Sequence, residues 1–539
     1  MSRENRSRFW PEGVSYSINY PNSPLFGLLR KTAEKHPNKL AILFRDKRIT
    51  YEELNAVSDR FAAALAEMGM ERGDRVALFL PNVPQFIVSY FGVLKAGAVI
   101  TAVSPLFKER ELEYQLNNSE AETIVALGSL YSTVKNVKKK TGLKRVILTD
   151  VEESRLKERE VYSFQDLIKE SSRKPPRLEI NPKEDLAALQ YTGGTTGLPK
   201  GAMLTHFNLL SNAVAFATWL QLREGKERFL TALPLFHIYG MTTSMNAAVY
   251  AAGTIVLVPR FDPKEILETI EKHQITVFCG VPTMYIMVIN HPEVARYDLS
   301  SIRFCVSGGS TLPPDVQRRF MDLTGGVLIE GYGLSEASPV THVNPPDPTM
   351  QTVKIGSIGL ALPDTEAKIV DPEIGVKTLP SGELGELVVR GPQVMKGYWR
   401  MPRETENTLR GGWLHTGDIA KMDEDGYVYI VDRKKDLIKY KGYSVYPREV
   451  EDVLYEHPAV KICAVVGKPD PIAGEIPKAF IVLKDGVNAT EEEIMGFIKE
   501  KIAPYKRIRE VEFRESLPMT SVGKVLRKKL RKEELEKAK

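Results

Sequence analysis

Between Tyr191 and Gly201 the chain reads YTGGTTGLPKG. Gly193, Gly194, Gly197 and Gly201 are interleaved with Thr192, Thr195, Thr196 and Lys200. Such a stretch suits a loop whose backbone N–H groups and hydroxyls wrap a polyphosphate, with one lysine against its charge. Glycine permits the close approach and the positive φ angles that such a loop needs. The spacing is not G-x-x-x-x-G-K-[ST], because Lys200 follows Pro199 and precedes Gly201. Taken alone, the stretch could also be an ordinary turn rich in Gly and Thr.

Other residues could do chemistry. Glu336, in EGYGLSE, reads by itself as a helix-entry carboxylate next to Ser335. The GYG within it lacks the third glycine of a dinucleotide-binding fingerprint. His237 stands between Phe236 and Ile238, a setting more usual for a packed core histidine. Lys524, in PMTSVGK, would by itself be one more surface lysine. No nucleophile–His–Asp arrangement stands out.

Elements must position these groups. A strand-like run (Leu186, Ala188, Leu189, Tyr191) leads into the glycine-rich stretch. Thr50 and Glu53 make a capping box, after which Leu54, Val57, Phe61 and Leu65 fall on one helical face. Strand Val76–Leu80, helix Pro84–Ala96, strand Ala98–Val103, helix Pro263–His273, and strands Thr276–Cys279 and Ile302–Ser307 continue an α/β alternation. The charged segment Leu143–Arg177 reads as irregular surface. After the strand Gly426–Val431, the run from Asp432 to Asp436 has no apolar face. Beyond it, helices over Val450–His457 and Glu491–Lys501 flank strands over Ile462–Val466 and Ala479–Leu483. The fold expected is α/β: a large multi-sheet N-terminal domain (1–432) and a small, mobile α+β C-terminal domain (436–539), with a hinge at 433–435.

Composition agrees. The chain has 539 residues, 43% hydrophobic and 27% charged, with a formal net charge of +5. That is the make-up of a globular protein of more than one domain, and it gives no argument for nucleic acid. The basic tail (Arg527, Lys528, Lys529, Arg531, Lys532) reads as a solvated terminal helix. Cys279, Cys305 and Cys463 have no metal-ligand spacing and suit a reducing compartment, with Cys279 and Cys305 in buried strands. MSRENRSRFWPEG lacks the apolar run of a signal peptide. The uncharged stretch Met241–Val258 changes character at Gly253 and reads as a buried helix and a strand rather than a membrane span. The expectation is a cytoplasmic protein with no transmembrane segment.

Seven motifs stand in one order: YTGGTTGLPKG, LPLFHIYGM (233–241), SGGSTL (307–312), EGYGLSE (330–336), GWLHTGD (412–418), VDRKKDLIKYKGYSVYPREVE (431–451) and PMTSVGK. Together they resemble the adenylate-forming superfamily of acyl-CoA synthetases, adenylation domains and firefly luciferase, and most of all its long-chain fatty acid–CoA ligases. The resemblance implies ATP, Mg²⁺ and CoA as reactants and cofactor. A fatty acid would be joined to CoA through acyl-AMP, with release of pyrophosphate and AMP. It implies phosphate binding by Thr192–Lys200 and metal binding by Glu336 and Thr195. It places adenine against Tyr332, Gly308, Gly309 and the Glu330–Gly331–Gly333 backbone, and ribose on Asp418 and Arg433. Lys524 would reach the α-phosphate and the carboxylate, His237 would border the acid, and Lys200 would join them as a catalytic cation. Lys435 would be the pivot between half-reactions, and Lys441, Gly442 and Tyr443 would meet CoA. Apolar chain binding is expected near His237–Met241, Val281–Tyr285, Ser307–Gly309 and Gly331–Tyr332, with Gly280 and Gly331 leaving room in the wall. Amino-acid-activating domains carry Asp where this chain has His237, which argues against a peptide-synthetase module. A coumarate-type aryl-CoA ligase, an acyl-AMP ligase that loads a carrier protein, and a nucleotide-binding regulatory protein are the alternatives. Peripheral membrane contact and a homo-oligomer are compatible with the resemblance.

Overall fold

The computed structural model describes residues 9–151, 158, 160–171, 174–192, 199–373, 375–441, 443–520 and 525–537. The chain forms two compact units, 1–366 with 390–414, and 367–389 with 415–539.

The first unit is built on two sheets. In the seven-stranded sheet the spatial order is Val161–Ser163, Arg145–Thr149, Thr123–Leu127, Arg75–Phe79, Val99–Ala102, Leu186–Thr192 and Lys200–Thr205. All neighbours are parallel except the last pair. The nine-stranded sheet has a parallel centre, including Arg228–Thr231, Val277–Gly280, Phe304–Ser307 and Val327–Gly333, and antiparallel edges. Helices supply the cover. Tyr51–Glu67 begins with the expected capping box of Thr50 and Glu53, and Phe61 and Leu65 are fully buried. The apolar runs of these parallel strands are buried on both faces, as a helix-covered parallel sheet requires.

One expectation needs correction in this unit. Residues 143–177 are not irregular surface: Arg145–Thr149 and Val161–Ser163 are sheet strands and Phe164–Glu170 is a helix. The VILT run buries Val146, Ile147 and Leu148, and the charged residues that masked this signal flank it. The uncharged stretch after His237 is, as expected, buried helix followed by strand: a π-helical segment, Gly240–Asn246, then helix Ala247–Tyr250 and strand Thr254–Leu257. No helix of the described residues is long and apolar enough to cross a membrane.

In the second unit, strands Trp413–Met422 and Val428–Arg433 pair antiparallel. A five-stranded sheet follows, formed by Ile438–Tyr440, Tyr443–Val445, Val460–Asp470, Gly474–Leu483 and Glu510–Phe513. Helices Pro447–Tyr455 and Glu491–Lys501 close one face over Val450, Leu454, Val465, Ile481 and Ile498. The other face carries Leu530 of helix Arg527–Lys537 among Val466 and Phe480.

Candidate active site

The glycine-rich loop springs from an antiparallel hairpin in which Thr192 and Lys200 are register partners. Gly193, Gly194, Thr195, Thr196 and Gly197 lie outside the described residues. Both shoulders of the loop are tied to helix Glu109–Ser119. The Tyr114 hydroxyl donates to the Pro199 carbonyl at 2.8 Å, and the Tyr191 hydroxyl donates to Asn118 Oδ1 at 2.6 Å. Lys200 pairs with the Glu404 carboxylate, and its ammonium lies 5.0 Å from the centroid of the Tyr398 ring.

Tyr398 also reaches Glu336. Its hydroxyl donates to Glu336 Oε1 at 2.7 Å. Burial, reinforced by the Glu336 charge and hydrogen bond, pushes the Tyr398 phenol far above its ordinary range, so it remains a donor. Glu336 is half-buried in the turn Ser335–Ala337 that follows strand Val327–Gly333, and its carbonyl accepts from Met395 N at 2.8 Å. Among the described residues no cluster of three or more His, Cys, Asp or Glu could hold a metal alone. A single carboxylate such as Glu336 therefore suits only a hard cation whose other ligands come from outside the protein's side chains.

The proposed base-binding residues gather at the carboxyl ends of the parallel strands, where open α/β sheets place their ligand crevices. Ser307 and Glu330 are register partners, and Gly308 N donates to the Gly280 carbonyl at 3.0 Å. Gly309 takes φ +86°, a left-handed value that favours glycine. The half-buried Tyr332 ring meets His342 edge-on, with centroids 6.2 Å apart. Gly333 ends this strand against the Val340 backbone.

His237 sits on a loop pinned by a residue that sequence reasoning missed. The buried Asn82 amide donates to Leu233 O at 2.9 Å, and its oxygen accepts from Leu235 N at 2.8 Å. Gln190 of the glycine-rich hairpin donates to Phe236 O at 3.2 Å, which ties the two motifs together. His237 Nδ1 accepts from Tyr239 N at 3.2 Å, so the neutral ring carries its proton on Nε2. The expected open wall is not there. A Cβ on Gly280 would meet the Tyr285 ring at 3.1 Å, and one on Gly331 would meet Val306 Cγ1 at 3.0 Å. These glycines admit the protein's own side chains rather than an acyl tail. Tyr239 and Tyr285 are buried there, and both hydroxyls donate to the Val306 carbonyl.

In the second unit Asp418 and Arg433 are cross-strand partners, with Arg433 Nε 2.7 Å from Asp418 Oδ1. Asp418 is buried, and in the same strand Gly417 N donates to the Glu386 carboxylate at 3.1 Å. Burial pushes the Glu386 carboxyl up, but hydrogen bonds and charge from His415 and Lys434 outweigh it and hold the group below its ordinary value. Lys435 lies in a turn, and its carbonyl accepts from Arg531 at 3.1 Å. Lys441 is exposed, with φ +49°, and its N–H donates to Ala473 O at 2.8 Å. Tyr443 is exposed and stacks on Tyr505 with centroids 4.8 Å apart. Gly442 and Lys524 lie outside the described residues.

The charged run at 432–436 and the basic tail also differ from expectation. Asp432 is only 3% exposed, and its carboxylate accepts from Arg433 N and Arg448 N. Arg527 turns inward to Glu451 and Asp432, and Arg531 to Glu475. Neither segment is simply a solvated face. Lone charges in a polar run carry no sign of burial until partners far along the chain are known.

Comparison with known proteins accords with this geometry. Residues 29–399 match the family model described as AMP-binding enzyme, and 449–524 match its C-terminal domain. The chain is 43% identical to a long-chain-fatty-acid–CoA ligase of Bacillus subtilis (strain 168), over 98% of this chain and 97% of that one. It is 38% identical to 4-coumarate–CoA ligase 3 of Oryza sativa subsp. japonica, over 89% of this chain and 86% of the other. The crystal structure of an anthranilate CoA ligase in complex with anthranoyl-AMP superposes with a TM-score of 0.89 at 30% identity, covering 96% of this chain and 98% of that chain. The chain belongs to the AMP-binding enzyme family. Within it, the full-length likeness to CoA ligases makes this an acid–thiol ligase.

Proposed function

We propose that the protein joins a fatty acid to CoA in two half-reactions, adenylation by ATP and then thioester formation. A carboxylate is a poor acyl donor because oxide is a poor leaving group, and AMP is a far better one. The carboxylate oxygen attacks the α-phosphorus of ATP, a new P–O bond forms, and the bond to pyrophosphate breaks. The acid is already an anion, so no general base is required for this step. Lys200 and the loop from Thr192 bind the β- and γ-phosphates, and Lys524 neutralises charge at the α-phosphate. Glu336 and Thr195 would hold Mg²⁺, which supplies further charge neutralisation when bound. Tyr332, Gly308, Gly309 and the Glu330–Gly333 backbone receive adenine, and Asp418 and Arg433 receive the ribose. His237 borders the acid carboxylate. The CoA thiol then gives up its proton to solvent, its sulfur forms a bond to the acyl carbon, and the acyl C–O bond to AMP breaks, with Lys441, Gly442 and Tyr443 near the thiol's approach. The smaller domain, 436–539, pivots at 433–435 about Lys435 between the two steps.

The observation that carries this reading is the meeting of Lys200 and Glu336 at Tyr398. One tyrosine thus contacts both the lysine proposed for phosphate and the carboxylate proposed for the metal. The likeness to the Bacillus subtilis long-chain ligase favours an unbranched acyl chain, and the likeness to a coumarate ligase supports an aryl acid as the second reading. Pyrophosphate release with acetate, octanoate, palmitate, benzoate and coumarate, each with and without CoA, tests both. Preference for palmitate or octanoate with CoA-dependent turnover is expected. Preference for an aryl acid would overturn the acyl assignment, and full turnover without CoA would overturn the thioester step.

A further inference from the structure

We propose that Tyr398 is a positioning residue for the nucleotide site, setting the Glu336 carboxylate through its hydroxyl and the Lys200 ammonium through its ring face. The inference rests on the adenylation reading above. Glu336 stands on a turn of three residues, where a glutamate has several rotamers to lose on ordering. The Tyr398 hydroxyl, 2.7 Å from Oε1, engages one carboxylate oxygen and so restricts the orientation of the other. The same ring faces the Lys200 ammonium at 5.0 Å, within cation–π range.

Tyr398 can act this way because it is itself fixed. It is 6% exposed. Its N–H donates to Thr405 Oγ1 at 2.8 Å, and it forms a β-bridge with Ala202 of the strand that begins at Lys200. On either side, Met203 N donates to Gly397 O and Trp399 N donates to Gly201 O, each at 2.8 Å. The ring therefore moves with the strand that carries Lys200, and its hydroxyl links that strand to the turn that carries Glu336. Tyrosine supplies both functions. Phenylalanine keeps the face and loses the bond.

The experiment separates the two. In Tyr398→Phe, the rise in thermal midpoint caused by ATP should need about tenfold more Mg²⁺ than in the parent, the scale seen when a partner behind a metal ligand is lost. The Mg²⁺ concentration for half-maximal adenylation should move with it. The KM for ATP at saturating Mg²⁺, where the ring still faces Lys200, should stay within about twofold. A double-mutant cycle guards against a merely structural effect: in a Glu336→Gln background, adding Tyr398→Phe should not raise the Mg²⁺ requirement further. An unchanged requirement in Tyr398→Phe, or full additivity in the cycle, would overturn the positioning role. A parent protein that shows no ATP-induced, Mg²⁺-dependent shift at all would instead overturn the nucleotide-site reading beneath it.

Discussion

Asp432 and Arg527 meet in the interior of the second unit, with Asp432 Oδ1 3.6 Å from an Arg527 nitrogen. Arg527 also binds the Glu451 carboxylate and lies 3.8 Å from Asp436, so one guanidinium serves three carboxylates. Burial pushes the Asp432 carboxyl from an ordinary 3.8 up to about 6, against the Arg527 charge and the backbone donors Arg448 and Arg433, with Glu451 adding to the rise. The folded protein thus holds this proton more tightly than the unfolded chain. The resulting stability is full below about pH 4 and is lost as pH rises through about 6.

Asp432→Asn removes that titration. At about 1.4 kcal/mol per pH unit, the variant should gain on the order of 3 kcal/mol relative to the parent between pH 4 and pH 7.5. It also loses one acceptor for a backbone N–H, an offset that does not vary with pH. Thermal midpoints of both proteins across this range would check it. A difference that stays constant with pH would mean that Asp432 is ionised in the fold throughout.

Lys524→Ala should cripple adenylation and spare the second step. The lysine closes PMTSVGK, whose counterpart in the family stands beside the α-phosphate. Loss of a close cation from the transition state should cost on the order of a hundredfold or more. Thioester formation from pre-made acyl-AMP and CoA should continue. Equal loss in both half-reactions would sink the assignment.

Much of this was legible in the chain. The capping box at Thr50, the glycine-rich hairpin and the strand ending at Ser307 are local patterns, and local hydrogen bonding and periodicity produce them. Tyr398, Glu404 and Asn82 were not legible. Each acts through partners far along the chain, as Tyr398 does on Glu336 and Asn82 on Leu235. Gly280 and Gly331 misled because a missing side chain can open a cavity or admit a neighbour. Only the positions of Tyr285 and Val306 decide which. The burial of Asp432 was hidden for the same reason, since Arg527 and Glu451 belong to separate helices.

Lys435→Pro should separate the half-reactions in the opposite sense to Lys524→Ala. Proline fixes φ near −65° and removes the N–H donor. If the smaller domain turns at Lys435, the variant is held in one pose. Acyl-AMP should then form and accumulate while acyl-CoA output falls, which single-turnover assays of each step would resolve. Unchanged overall turnover would place the pivot elsewhere.

Glu404→Gln should tighten the use of ATP. Lys200 now pairs with the Glu404 carboxylate, which is 47% exposed, so an incoming polyphosphate must compete with it for the lysine. Partly exposed pairs of this kind contribute about 0–1 kcal/mol. Removing the charge should therefore lower the KM for ATP by up to about fivefold and leave kcat unchanged. Glutamine retains an oxygen that can still accept from the lysine, so Lys200 keeps a neighbour without a rival charge. Increasing salt should narrow the difference between variant and parent, because screening weakens the competing pair. The measurement is a steady-state ATP titration of both proteins at saturating acid and Mg²⁺, at two ionic strengths. A raised KM would show that the Glu404 charge holds Lys200 ready for phosphate instead of competing for it.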